Sequence, residues 1–181
     1  MNIKFHEAKP MDLGKEAFYI DKYCEINDDL LRDDLVRSMA QYRHHGEINT
    51  LFHSVYVSYC VLKMCYALNA SHTREIVRAS LLHDFYLYEW YTEKHDENHI
   101  FYHPKESVKN IEAHFGNLTG KQKNMIIAHM FPLSKKMPGS LGAWLLTAAD
   151  KYCATQDYFS ISSRFNRVYD EIVRKTETNA H

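Results

Sequence analysis

The stretch Ser80-Leu81-Leu82-His83-Asp84-Phe85-Tyr86-Leu87 decides how this chain is read. An imidazole and a carboxylate stand side by side inside an apolar run, and both are costly to bury unless something pairs with them or coordinates them. A metal ion would do both. Taken alone, the pair reads equally well as a core histidine bonded to its surroundings and an aspartate near a helix end. It does not stand alone. His53 lies upstream in Leu51-Phe52-His53-Ser54-Val55-Tyr56, and His103, His129 and Asp150 follow downstream, each at the edge of an apolar or helix-forming segment. The candidate ligands therefore run in the order His, His-Asp, His, His, Asp.

Outward from this stretch the patterning is helical. Ser71 can cap the helix that leads into it, with Glu75 in the first turn and Ile76, Val77, Ala79, Leu81 and Leu82 giving an apolar face, so that His83 and Asp84 arrive about three turns in. Neighbouring helix positions diverge by about 100°, and both can reach one ion only if it lies at the helix edge, between helices. Upstream, an amphipathic segment runs from Asp12 to about Tyr23, and a second begins after Asn27-Asp28-Asp29 and stops at Gly46. Asn49 or Thr50 can cap the next helix, which places His53 in its first turn facing inward.

Downstream, residues 91–102 turn polar and read as a loop; the histidines within it, His95 and His99, read as ordinary exposed loop residues. Pro104 fits the first position of a helix that ends at Gly116, leaving His103 at its entrance. Thr119 to Gln122 matches a capping box before a short helix carrying His129, which ends before Pro132. Ser140 can cap an apolar helix from Leu141 to Phe159 that contains Asp150, where an unpaired carboxylate would be expensive. Residues from Arg164 to Lys175 form a last amphipathic helix, with Thr176 to His181 fraying. No strand pattern of useful length and no repeat appears, so the expected fold class is all-α.

Composition narrows the function classes. The chain has 181 residues, 45% of them hydrophobic and 25% charged, which suits one globular domain over 1–181 with a core of about 42–160 and the terminal helices packed on it. The formal net charge of -1, with no basic stripe interleaved with aromatics, argues against nucleic acid as a partner. The first ten residues carry no apolar segment and no later run is long enough to span a bilayer, which points to a cytoplasmic protein and excludes the membrane as a partner. Cys24, Cys60, Cys65 and Cys153 contain no Cys-x-x-Cys pair and read as reduced, buried thiols. Twelve histidines are the anomaly, and imidazole is the commonest side-chain metal ligand. Tyr86, Tyr88 and Tyr91 could line a pocket, a dimer face or the core, which leaves a homodimer open.

The ordered set resembles the HD superfamily of metal-dependent phosphohydrolases, over roughly Tyr42 to Ala154, and the flanks Phe52-His53-Ser54-Val55, Leu81-Leu82-His83-Asp84 and Ala149-Asp150-Lys151 look like that family too. The resemblance implies a compact helical bundle in which His53, His83, Asp84 and Asp150 hold one ion. In two-metal members further histidines complete the site, and His103 and His129 occupy those places, with Asp84 bridging. Nitrogen and oxygen ligands without thiolate suit one or two divalent transition metals, iron, manganese, nickel, cobalt or zinc, without choosing among them.

The activity so implied is hydrolysis of a phosphate ester on a nucleotide or other small phosphorylated metabolite by metal-activated water, with Asp84 fixing the metal. Arg43, Lys105, Lys135, Lys136 and Lys151 are the candidate phosphate-binding cations in sequence, and Lys151 and Arg43 are assigned to charge stabilisation on the phosphoryl oxygens. Each also reads as an ordinary surface residue, Lys151 least so because it stands beside Asp150. Cyclic dinucleotide cleavage is disfavoured, because Leu87 stands where such members carry a lysine and their Gly-Tyr-Pro signature is absent. The same ligand order is also similar to that of di-iron oxygenases on this fold, and a non-catalytic metal- or ligand-binding sensor is a further alternative.

Overall fold

A computed structural model describes residues 13–46, 48–158 and 165–178. Among the described residues the regular structure is helical apart from one short hairpin, and its centre is α3, Thr50–Ala67. Asn49 starts that helix by accepting a hydrogen bond at Oδ1 from the Phe52 amide at 2.9 Å. Nearly every side of α3 is covered, since Phe52, Val55, Val57, Tyr59, Val61, Leu62 and Cys65 are all buried. Such a helix is apolar all round rather than striped. It lies between α4, Thr73–Leu81, and α7, Leu141–Tyr158, while α6, Gly120–Ala128, packs on both α4 and α7 and supports α5, His99–Phe115. On the far side α1, Leu13–Arg32, packs against α8, Asn166–Thr178, and Tyr23 of α1 shares a hydrogen bond with Ser58 of α3.

Asn27-Asp28-Asp29 does not break the first helix as the sequence suggests. Asn27 is buried and donates from Nδ2 to the Tyr23 carbonyl at 3.2 Å, Asp28 accepts two bonds from Arg32 four residues on, and Asp29 pairs with Arg78 of α4. Each turn-favouring side chain has a partner compatible with helix. The break comes at Asp33, whose Oδ1 accepts from the Leu35 and Val36 amides and caps α2, Asp34–Ser38, which leads into a single 3₁₀ turn at Met39–Gln41.

Gly46 ends no helix. It turns a hairpin of two antiparallel strands, β1 (Arg43–His45) and β2 (Ile48–Asn49), with φ of 55°. Strands this short cannot show a period of two in sequence. Arg43 faces Asn49 and His45 faces Ile48, so β1 carries one residue more than β2 opposite it, a bulge at His44.

The other boundaries differ by a few residues. His72, with φ of 59°, precedes α4 in place of Ser71, and α4 stops at Leu81, so His83 and Asp84 lie on the turn just past its end and not three turns within it. Asn98 caps α5 through a bond from the Ile100 amide, and the helix therefore begins within the segment expected to be loop; His103 sits in its second turn and Pro104 inside it. The capping box at Thr119 and the Ser140 cap, which accepts from the Ala143 amide at Oγ, form as expected. Thr176 is buried and helical, donating to the Ile172 carbonyl, rather than frayed. The expected start at Asp12, the end at Phe159, the start at Arg164 and the last three residues lie outside the described residues.

Helices α4, α6 and α7 meet at Gly142, where a β-carbon would stand 2.9 Å from Ile76 Cγ1 and 3.1 Å from Met125 Sδ. Tyr86 and Tyr88 are buried and Tyr91 is half exposed; Cys24, Cys65 and Cys153 are buried, Cys60 is partly buried, and all four thiols are free. No helix among the described residues is long and apolar enough to cross a membrane.

Candidate metal centre

The fold brings the six sequence-predicted ligands together. His53 comes from the first turn of α3, His83 and Asp84 from the turn after α4, His103 from α5, His129 from the cap of α6 and Asp150 from the middle of α7. All six are buried. Asp84 is the hub: its Oδ2 lies 3.5 Å from His83 Nε2, and its Oδ1 lies 3.3 Å from His103 Nε2 and 3.7 Å from His129 Nε2. Asp150 Oδ1 faces His53 Nε2 at 3.2 Å and His83 Nε2 at 3.7 Å.

The outward side of each ring explains why Nε2 points inward. His83 donates from Nδ1 to the Ser80 carbonyl at 2.8 Å, His103 to that of His99 at 2.8 Å, and His129 to that of Ile126 at 2.7 Å. A carbonyl can only accept, so Nδ1 holds the proton and the neutral ring's lone pair is on Nε2. His53 is aimed differently, with Nδ1 on Asp157 Oδ2 at 2.7 Å. This is the outer-shell carboxylate that orients many metal-bound imidazoles and raises their basicity.

Asp157 escaped the sequence reading, although a signal was present. It follows Asp150 by seven residues, two helical turns, and thus shares its face of α7. His44 was missed as well. Its ring is buried, stacks on His53 with centroids 3.8 Å apart, and puts Nδ1 3.6 Å from Asp84 Oδ2. Arg43, beside it on β1, faces the other way, with its guanidinium over the Tyr91 ring and a hydrogen bond to the Gly46 carbonyl. Lys151 is partly buried and donates from Nζ to the carbonyl of His129 at 2.9 Å. Lys105, Lys135 and Lys136 are exposed, and Lys105 pairs with Glu97.

Burial and mutual charge divide the cluster into two kinds of imidazole. Burial pushes His53 down, but hydrogen bonds and charge from Asp150 and Asp157 outweigh it and raise it to about 10. His83 is raised in the same way, by Asp84 and Asp150 against burial. Burial dominates at His103, which falls to about 3 despite Asp84, and it lowers His129 too. Burial alone would raise Asp84 and Asp150, yet the surrounding histidines hold both carboxyls well below the usual carboxylate range. Burial lowers Lys151 against the pull of Asp150.

This donor set fits a divalent cation. His83 Nε2 and Asp84 Oδ1 are sealed from water and have no hydrogen-bond partner among the described residues, a costly state for an imidazole and a carboxylate unless a cation meets them. Three groups of possible ligand atoms lie close enough together to hold an ion: His44, His53 and Asp84; His53, His83 and Asp150; His83, Asp84 and His129. Nitrogen and carboxylate donors without a thiolate match first-row transition metals. No family model, no curated protein and no solved structure matches the chain.

Proposed function

We propose that this chain is an HD-type, metal-dependent phosphohydrolase that holds two divalent ions and acts on a nucleotide or another small phosphorylated metabolite. The observation that carries the reading is the division of Asp84. One oxygen faces His83 and the other faces His103 and His129, as a carboxylate bridging two ions would. His53, His83 and Asp150 complete the first set around Oδ2, and His103 and His129 form the second around Oδ1. Bound divalent ions would supply a nucleophile from water at neutral pH and polarise the phosphoryl oxygens.

The chain's own residues have separable tasks in this scheme. The carbonyls of Ser80, His99 and Ile126 keep three imidazoles in the tautomer that presents Nε2, and Asp157 does so for His53. Lys151 follows the ligand Asp150 directly and bonds the backbone of the ligand His129, which supports its assignment as the cation that meets phosphoryl charge. Arg43 lies on the outer face of the hairpin, so its assigned role extends at most to the rim of the site. Asp150 and His44 are the most exposed members of an otherwise closed cluster.

The test is phosphate release from a panel of nucleotides and small phosphorylated metabolites. Protein purified without oxygen would be assayed with added manganese, iron, cobalt, nickel or zinc, with oxygen uptake recorded in parallel. Turnover that disappears in the His83→Ala, Asp84→Ala double variant is the expected result. Turnover surviving in that variant, freed of metal, would refute the reading, while iron content with oxygen uptake and no phosphate release would replace it with the oxygenase alternative.

A further inference from the structure

The most unexpected group at the centre is His44, which comes from the β-hairpin rather than from the helices. Three features of its placement are independent of one another. The bulge in β1 falls at this residue, and bulges re-aim a side chain that regular pairing would send elsewhere. The Tyr91 hydroxyl donates to the His44 carbonyl at 3.1 Å, tying the bulged backbone to the segment that follows the doublet. The ring is then clamped flat on His53, centroids 3.8 Å apart, with both nitrogens sealed from water.

Its distance to the bridging carboxylate decides the matter. His44 Nδ1 lies 3.6 Å from Asp84 Oδ2, between the 3.5 Å of His83 and the 3.7 Å that His129 keeps from Oδ1. His44, His53 and Asp84 moreover form one of the sets whose ligand atoms converge within the reach of a single ion. An ion held between them would give the His44 ring, the His53 ring and the Asp84 carboxylate one shared partner.

We infer that His44 is a seventh protein ligand, bound through Nδ1 to the ion on the Oδ2 side of Asp84. The inference rests on the two-ion reading above and sharpens it. The Oδ2 side then has five protein ligands, His44, His53, His83, Asp84 and Asp150, while the Oδ1 side has three, His103, His129 and Asp84. An ion with five protein ligands is close to saturation, whereas one with three keeps positions for water and substrate. Substrate class and reactivity would therefore be set on the His103 and His129 side, with the His44 side holding the structure of the centre.

The experiment is a Co(II) titration of the metal-free full chain beside His44→Ala and His44→Gln, followed by visible absorption and elemental analysis, with circular dichroism to confirm folding. In the variants one of two ions should bind at least about tenfold more weakly, with an altered spectrum, since even outer-shell partners cost about 10–100-fold. Titrations that overlay the wild type would overturn the inference and leave the two-ion reading standing. Failure of the wild type to bind Co(II) would remove both. A readout on the wild type covers the case where the variants misfold: hyperfine-shifted imidazole N–H signals from five rings are expected in the Co(II) protein, and signals from the four rings of His53, His83, His103 and His129 alone would exclude His44.

Discussion

His103 Nε2 and His129 Nε2 stand 2.9 Å apart, and each ring already donates its Nδ1–H to a backbone carbonyl. Both rings are pushed toward the neutral form by burial, so the two facing atoms both carry lone pairs. Two lone pairs at this distance repel unless a cation lies between them. Nitrogens about 2.05 Å from one ion and at right angles to each other would be about 2.9 Å apart. Replacing both histidines, as His103→Ala with His129→Ala, should reduce the metal content from two ions per chain to one. Elemental analysis of the folded variant decides the point, and an unchanged count would return both residues to packing roles.

Asp157 bonds the outer nitrogen of His53 while Asp150 faces the inner one, so replacing Asp157 probes the orientation of that ring. Asp157→Asn should weaken metal binding by about 10–100-fold while leaving the helical content intact. Competition against a chelator of known affinity measures this. Equal affinity in the variant would show that α3 packing alone aims the His53 ring.

The metal-free chain should lose stability as pH rises from about 6.5 to 9. His53 is raised from 6.5 to about 10 in the fold, so its protonated form contributes fully below 6.5 and that contribution drains away as pH climbs toward the folded value. His83 is shifted in the same direction. The slope is limited to about 1.4 kcal/mol per pH unit for each proton involved. Urea midpoints taken across this range should fall in the absence of metal. With saturating divalent metal they should be flat, because the ion then takes the proton's place between the carboxylates. A metal-free midpoint that rises with pH would contradict the charge assignment.

Gly142→Val should destabilise the fold by about 2 kcal/mol or more, through overpacking against Ile76 and Met125 where α7 crosses α4 and α6. Chemical denaturation measures the loss. A neutral outcome would mean that α7 can move away from α4, and metal affinity, which depends on the position of Asp150, should then fall instead.

The positions of His53, His129 and Asp150 could be read from the sequence because each sits in or beside a helix whose caps are local: Asn49, the Thr119 box and Ser140. Other features depended on contacts distant in sequence. Nothing in Ser80 to Leu87 breaks a helix, yet α4 ends at Leu81 and His83 turns back to the Ser80 carbonyl. The polar triplet at Asn27 predicts a break that Tyr23, Arg32 and Arg78 prevent by bonding its side chains. His44 needed a bulge in a strand of three residues, too brief to leave a periodic trace.

The carbonyl that aims each of three imidazoles of the cluster lies only three or four residues before it, Ser80 for His83, His99 for His103 and Ile126 for His129. Each helix end thus carries its ligand as a self-aligned cartridge, with no need for a neighbouring element to set the ring's direction. The connecting segments 87–98 and 130–140 can therefore change in length or sequence without spoiling that alignment. On the proposed reading, diversity of substrate would accumulate in these loops while the ligand set beneath them stayed fixed, and grafting one loop for another would be the route to a new specificity.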